Sequence, residues 1–192
     1  MSAGFSHLPL SGTWLSVPEL TRVTLSARPR RIRNVNVTVH VLGIRVVVNE
    51  DRHPVSIVAE MDPATIDTGH ATFDQYVKVR TLMDADAYPM VRWVSRDIST
   101  TATGWHADGV LRIHDRLVPT ELDVFVIPST DSCVQLHATA SIDRRNLGLS
   151  VRRAPFMSRK VSVSIDTTLA PSKMLAPSDL EPWAREIDHR SL

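Results

Sequence analysis

A single cysteine, Cys133, stands in 192 residues, so no internal disulfide can form. Neither sign of charge dominates: 22 Lys and Arg face 21 Asp and Glu, for a formal net charge of +1. No global field therefore draws the chain to nucleic acid or anionic lipid. The one basic run, RPRRIR from Arg28 to Arg33, is short and carries no interleaved aromatics, and it reads as a solvated hairpin loop rather than a nucleic-acid contact. Gly-rich phosphate loops are missing. The eight histidines show no H-x-H, H-E-x-x-H or paired Cys/His spacing, so nothing argues for a metal. Long hydrophobic runs are missing too. The longest apolar segment, Val35 to Val48, is interrupted by Asn36, His40 and Arg45 and falls short of the about 18 apolar residues that mark a spanning helix. The opening MSAGFSHLPLSGTW has no basic n-region, apolar h-region or small-residue cleavage site. The expectation is a cytoplasmic protein with no integral membrane segment.

What is present is ordinary globular composition, 43% hydrophobic and 22% charged, in a chain long enough for one domain with a tail. Period-two alternation dominates, the mark of half-buried strands. Val35, Val37, Val39 and Val41 share one face. Ile44 to Val48 continues that run past Gly43, where a bulge or bend is expected. Val55 to Met61 is another strand-rich run. Val91, Trp93 and Ser95 alternate with Arg92, Val94 and Arg96. Leu111 and Ile113, then Leu122, Val124 and Val126, then Val134 to Ile142, then Val161, Val163 and Ile165 continue the pattern. Trp14 to Val17 and Val23 to Ala27 open the chain. About eight strands of this length with short connections, such as the turn at Ser129-Thr130-Asp131, predict an antiparallel β-barrel. Closure removes exposed edges, and eight strands leave an interior just wide enough for one ligand.

Two segments depart from the strand pattern. Asp62-Pro63 has the form of a helix cap with Pro at the first helical position, and Phe73, Tyr76, Val77, Val79, Leu82 and Met83 lie largely on one side of a helix. A helical insert over about 62–86 is predicted, lying against the barrel or across its mouth. Ala170 to Ser178 reads as a linker, and Ser178 with Glu181 forms a capping box for a short C-terminal helix. The domain reading is thus 1–169 for the barrel and 170–192 for linker and helical tail.

Four blocks carry a family resemblance. Gly12-Thr13-Trp14 is similar to an opening G-x-W strand, and TIDTGHATFDQYVKVRTLMDADAYPMVRW, from Thr65 to Trp93, to an S-I-D-T-G…D…L…F-D…Y-P…F block. GVLRIHDRLVPTELDV, from Gly109 to Val124, is similar to a G-x-L-T-I-x-G-x-x-x-P-V-x-L-x-V strand pair. SIDRRNLGL, from Ser141 to Leu149, is similar to an I-D-R-x-x-F-G-I corner. In this order the blocks resemble the YceI-like family, also called polyisoprenoid-binding proteins, over about Gly12 to Leu169. The chain departs from the pattern at Asp115, where the family has its turn glycine, and at Leu147, where it has an aromatic. It also departs at Phe73, where a basic residue is usual, and at Val17, where an Asp is usual. An Asp can serve in the turn, because it tolerates left-handed geometry better than most residues.

The resemblance implies a lipocalin-like barrel that binds or carries an isoprenoid lipid, a polyprenyl phosphate, pyrophosphate or isoprenoid quinone. It implies no catalysis and no cofactor beyond the lipid itself, and it leaves a homodimer open. Val91, Trp93, Trp105, Leu111 and Ile113 are the inward-facing candidates, either filling a packed core or lining a tunnel. The resemblance favours the tunnel. Met61, Met83 and Met90 are candidate lining residues near the insert, since Met adapts to variable chains. Asp74, His114, Asp143 and Arg144 are candidates for a headgroup contact or a structural polar role. His114, beside Asp115, reads as a turn-flanking residue rather than an acid–base group, because no nucleophile is implied nearby. The alternatives are a β-domain with a structural or protein-interaction role and no cavity, and an enzyme acting on an apolar substrate.

Overall fold

The computed structural model describes residues 8–27, 35–69, 74, 84–127, 133–147 and 159–175. Among them ten strand segments run in chain order as β1 (Gly12–Ser16), β2 (Arg22–Ala27), β3 (Val35–Val39), β4 (Val41–Val48) and β5 (Pro54–Met61). They continue as β6 (Val91–Thr100), β7 (Gly104–Ile113), β8 (Arg116–Ile127), β9 (Val134–Asp143) and β10 (Lys160–Pro171). All ladders are antiparallel, in the order β1-β4-β5-β6-β7-β8-β9-β10-β2-β3, and β1 also pairs with β10.

That last pairing closes the sheet. One edge of β10 is used twice: Val161–Asp166 pair with β2, and Leu169–Pro171 pair with β1. β1 and β2 are therefore one strand broken by the single 3-10 turn Pro18–Leu20, and β3 and β4 are one strand broken at His40. Ten segments thus make an eight-stranded, up-and-down barrel. The bulge expected at Gly43 is present as a register shift between Val41 and Gly43.

Alternation fills the interior. The apolar core takes Trp14, Val46, Ile57, Trp93, Trp105, Leu122, Leu136, Ile165 and Leu169, together with their neighbours of the same parity. Trp14 and Trp105 are each only 1% exposed. A smaller cluster, Leu15 and Val58 with Leu175, lies on the opposite parity of β1 and β5. It ties the 3-10 turn Ser172–Met174 to the outer wall. Strand β10 thus runs past the expected boundary at Leu169, and Ala170 is buried. The remaining tail, 176–192, lies outside the described residues, as do the basic run 28–33 and the turn at 129–131.

The helical insert expected over about 62–86 is not borne out. The cap is real: Asp62 Oδ1 accepts from the Ala64 N–H at 2.8 Å. It caps only the 3-10 turn Pro63–Thr65. Thr38 and Asp67 then exchange both backbone bonds at 2.9 Å as an isolated bridge. A residue paired across a bridge has no backbone groups left for helical bonding. The far end, Asp84–Ala87, is a turn with Asp84 at φ 44°. Residues 70–73 and 75–83, Met83 among them, lie outside the described residues.

Candidate functional site

Five of the proposed lining residues come together inside the barrel. Val91 and Trp93 on β6 and Trp105, Leu111 and Ile113 on β7 are all buried in the main core cluster. Each adopts the inward parity because an antiparallel strand sends alternate side chains to opposite faces. Met61, at the end of β5, packs partly buried against the same cluster. Met90 does not join them: it precedes β6 and is 42% exposed.

Space for Trp93 comes from Gly109. A Cβ at position 109 would overlap the Trp93 indole and the Val94 carbonyl, so only glycine admits the ring across the β6–β7 ladder. The Trp93 indole N–H points to the Thr120 carbonyl at 3.4 Å, a long contact that orients the ring across β7.

The polar candidates have local partners. Asp74 accepts the Thr68 N–H at 2.6 Å. Asp143 organises the corner after β9: its carboxylate accepts the Arg145 N–H at 3.0 Å and pairs with the Arg145 and Arg159 side chains. Arg144 is buried beside it, its N–H donating to the Arg159 carbonyl at 3.0 Å, and Leu147 closes the corner as a buried apolar residue. His114, not Asp115, takes the left-handed turn conformation, with φ 53°, and its ring lies 5.0 Å from that of Tyr88.

Two features were not read from the sequence. On the outer face, His106 Nδ1 lies 2.7 Å from Asp123 Oδ1 and His137 Nδ1 lies 2.7 Å from Asp166 Oδ1. The hydrogen bond to Asp123 raises the His106 pKa above its ordinary 6.5. Desolvation opposes the rise, and the charges of Asp123, Asp108 and Glu121 add to it. Register alone places these couples (His106 faces Asp123 and His137 faces Asp166), so strand pairing was the missing signal.

The second feature is a break in the wall. The β8–β9 ladder joins Asp123–Ile127 to Gln135–Thr139 only. Beyond it, among the described residues, Arg116–Leu122 of β8 pair only with β7, and Ala140–Asp143 of β9 pair only with β10. A groove of about 750 Å³ opens at this seam. Gly109, Thr120, Ala140 and Val163 line it from the inward parity, and Asp108, Glu121, Ser141 and Ser162 from the outward parity. Pro119, inside an alternating run, was the readable sign, because a proline within a strand belongs where no partner needs its N–H.

A closed eight-stranded antiparallel barrel with an apolar interior defines a lipocalin-like β-barrel protein. The particular family follows from comparison: the YceI-like domain matches residues 14–169, and the chain belongs to the YceI-like family. Solved structures agree on the fold. BcnA of Burkholderia cenocepacia is similar with a TM-score of 0.67 at 15% identity, over 80% of this chain and 98% of that one. A polyisoprenoid binding domain from Saccharophagus degradans, implicated in plant cell wall breakdown, has a TM-score of 0.61 at 10% identity, over 84% of this chain and 99% of that one. The YCEI protein of Campylobacter jejuni has a TM-score of 0.51 at 11% identity, over 73% and 88%. No curated protein matches the sequence. Among the described residues no helix is long and apolar enough to cross a membrane, and no group of three or more His, Cys, Asp or Glu is placed to hold a metal ion.

Proposed function

We propose that this chain binds an isoprenoid lipid inside its barrel and carries it without catalysing a reaction. The observation that carries this reading is the continuous apolar interior, built by alternate residues of all eight strands and including Trp14, Trp93 and Trp105. Membership of the YceI-like family and the likeness to a polyisoprenoid binding domain support it. The driving force is burial. Each CH₂ removed from water contributes about 0.8 kcal/mol, so one five-carbon isoprene unit contributes up to about 4 kcal/mol. A few units suffice before the ceiling of about 20 kcal/mol on non-covalent affinity, and chain ordering offsets the rest. Selection then rests on the shape of the interior, because a methyl-branched chain offers few polar handles.

The test is direct. Organic extracts of protein purified without added lipid should contain a prenyl lipid by mass spectrometry, and an added polyprenol should raise the melting temperature. Protein free of lipid whose melting temperature ignores every prenyl ligand would defeat the proposal. The near-complete burial of Trp14, Trp105 and Leu169 favours a second reading, a solid β-domain whose interior is filled by its own side chains.

A further inference from the structure

We propose that the seam between β8 and β9 is a lateral mouth of the barrel, through which the chain enters, and that it seats an uncharged, hydrogen-bonding head group. This rests on the lipid-carrying reading above and specifies its ligand. Three observations converge on the seam. First, among the described residues the β8–β9 ladder stops short there. Among the described residues β9 has no ladder partner on the β8 side over Ala140–Asp143, a slit of roughly 13 Å at the usual rise per residue. Pro119 has no N–H to offer β9, so an ordinary ladder cannot close across it. Second, the groove is lined by residues of both parities, as a passage through the wall requires. Its inward residues Gly109, Thr120 and Ala140 are small, and Trp93 lies directly against Gly109 at the inner end.

Third, the outer rim states what can rest there. The hydroxyls of Thr139, Ser141, Ser162 and Ser164 line one side. On the other side stand the carboxylates of Asp108, Glu121 and Asp123 with the guanidinium of Arg96, and His106 lies 2.7 Å from Asp123 and 3.8 Å from Asp108. Hydroxyls and unladdered backbone groups suit an alcohol or a carbonyl, which can both give and take hydrogen bonds. Even with His106 protonated beside Asp123 and Asp108, the three carboxylates outnumber the cations, Arg96 and His106, and repel a phosphate. Even screened by solvent, like charges at close range lower the affinity of a phosphate by about tenfold.

The test uses the full chain with Cys133→Ser, Glu121→Cys and Ser141→Cys, two outward positions facing each other in the register the β8–β9 ladder would follow if it continued. A short reducible thiol crosslinker should slow transfer of a prebound polyprenol to phosphatidylcholine vesicles at least tenfold, and reduction should restore it. In parallel, a polyprenol should bind at least about tenfold more tightly than its monophosphate of equal chain length. Asp108→Asn with Glu121→Gln should narrow that ratio, with melting temperatures confirming the fold. An unchanged transfer rate after crosslinking, or a phosphate that binds as tightly as the alcohol, overturns the inference while leaving the carrier reading intact. Failure of any prenyl chain to bind the unmodified protein overturns both.

Discussion

At the scale of single residues, two contacts have consequences that can be measured. His106 holds its proton more tightly in the folded chain than in the unfolded one, chiefly through its hydrogen bond to Asp123. A raised folded pKa contributes stability that is fully present below the unfolded value of 6.5 and is lost as pH rises through the folded value. Asp123→Asn should therefore bring the His106 pKa, read by NMR titration, back toward 6.5. The melting-temperature gap between wild type and variant should shrink as pH rises through the folded value. A gap that widens with pH contradicts this sign. Gly109→Ala addresses the other contact. The added methyl meets the Trp93 indole and the Val94 carbonyl, and such overpacking should cost about 1–3 kcal/mol in urea unfolding. Trp93, Trp105, Leu111 and Ile113 were legible as inward-facing because strand parity is written into the sequence. Met90 was not, since it lies just outside β6, where parity no longer applies. His114 carries the left-handed turn conformation that the motif suggested for its neighbour.

At the scale of elements, local pattern and long-range pairing diverged in one segment. The run after Asp62 has a helix cap and a helical spread of apolar residues, yet the Thr38–Asp67 bridge uses the backbone at its start and the left-handed Asp84 turns the chain at its end. A sequence window holds no information about a partner strand more than twenty residues away. That β1 and β2, legible as separate runs, form one strand was hidden for the same reason, because only their shared edge of β10 shows it. Strand β10 runs on to Pro171, and Leu175 beyond it packs on the outer wall against Leu15 and Val58. Leu175→Ala should lower stability by about 1 kcal/mol in the same unfolding assay, as expected for a partly buried side chain. A value near zero would mean that the turn after β10 does not secure this outer cluster.

At the scale of the whole molecule, closure is decisive: the β1–β10 pairing turns a twisted sheet into a barrel and its apolar face into an interior. Val91→Trp distinguishes an interior with room for a chain from a solid one. In an open lumen the protein should stay folded and lose bound prenyl lipid by mass spectrometry. In a packed core the larger ring should instead cost about 1–3 kcal/mol in urea unfolding. By itself the sequence determined the strand parity, the approximate strand number, the absence of a disulfide and the family, since each is written in residue identity at short range. Tertiary structure alone decided where the ring closes, which histidines meet carboxylates and where the wall fails between β8 and β9. Each of these depends on which strand lies beside which and in what register, and register is settled by the simultaneous packing of all eight strands around one core.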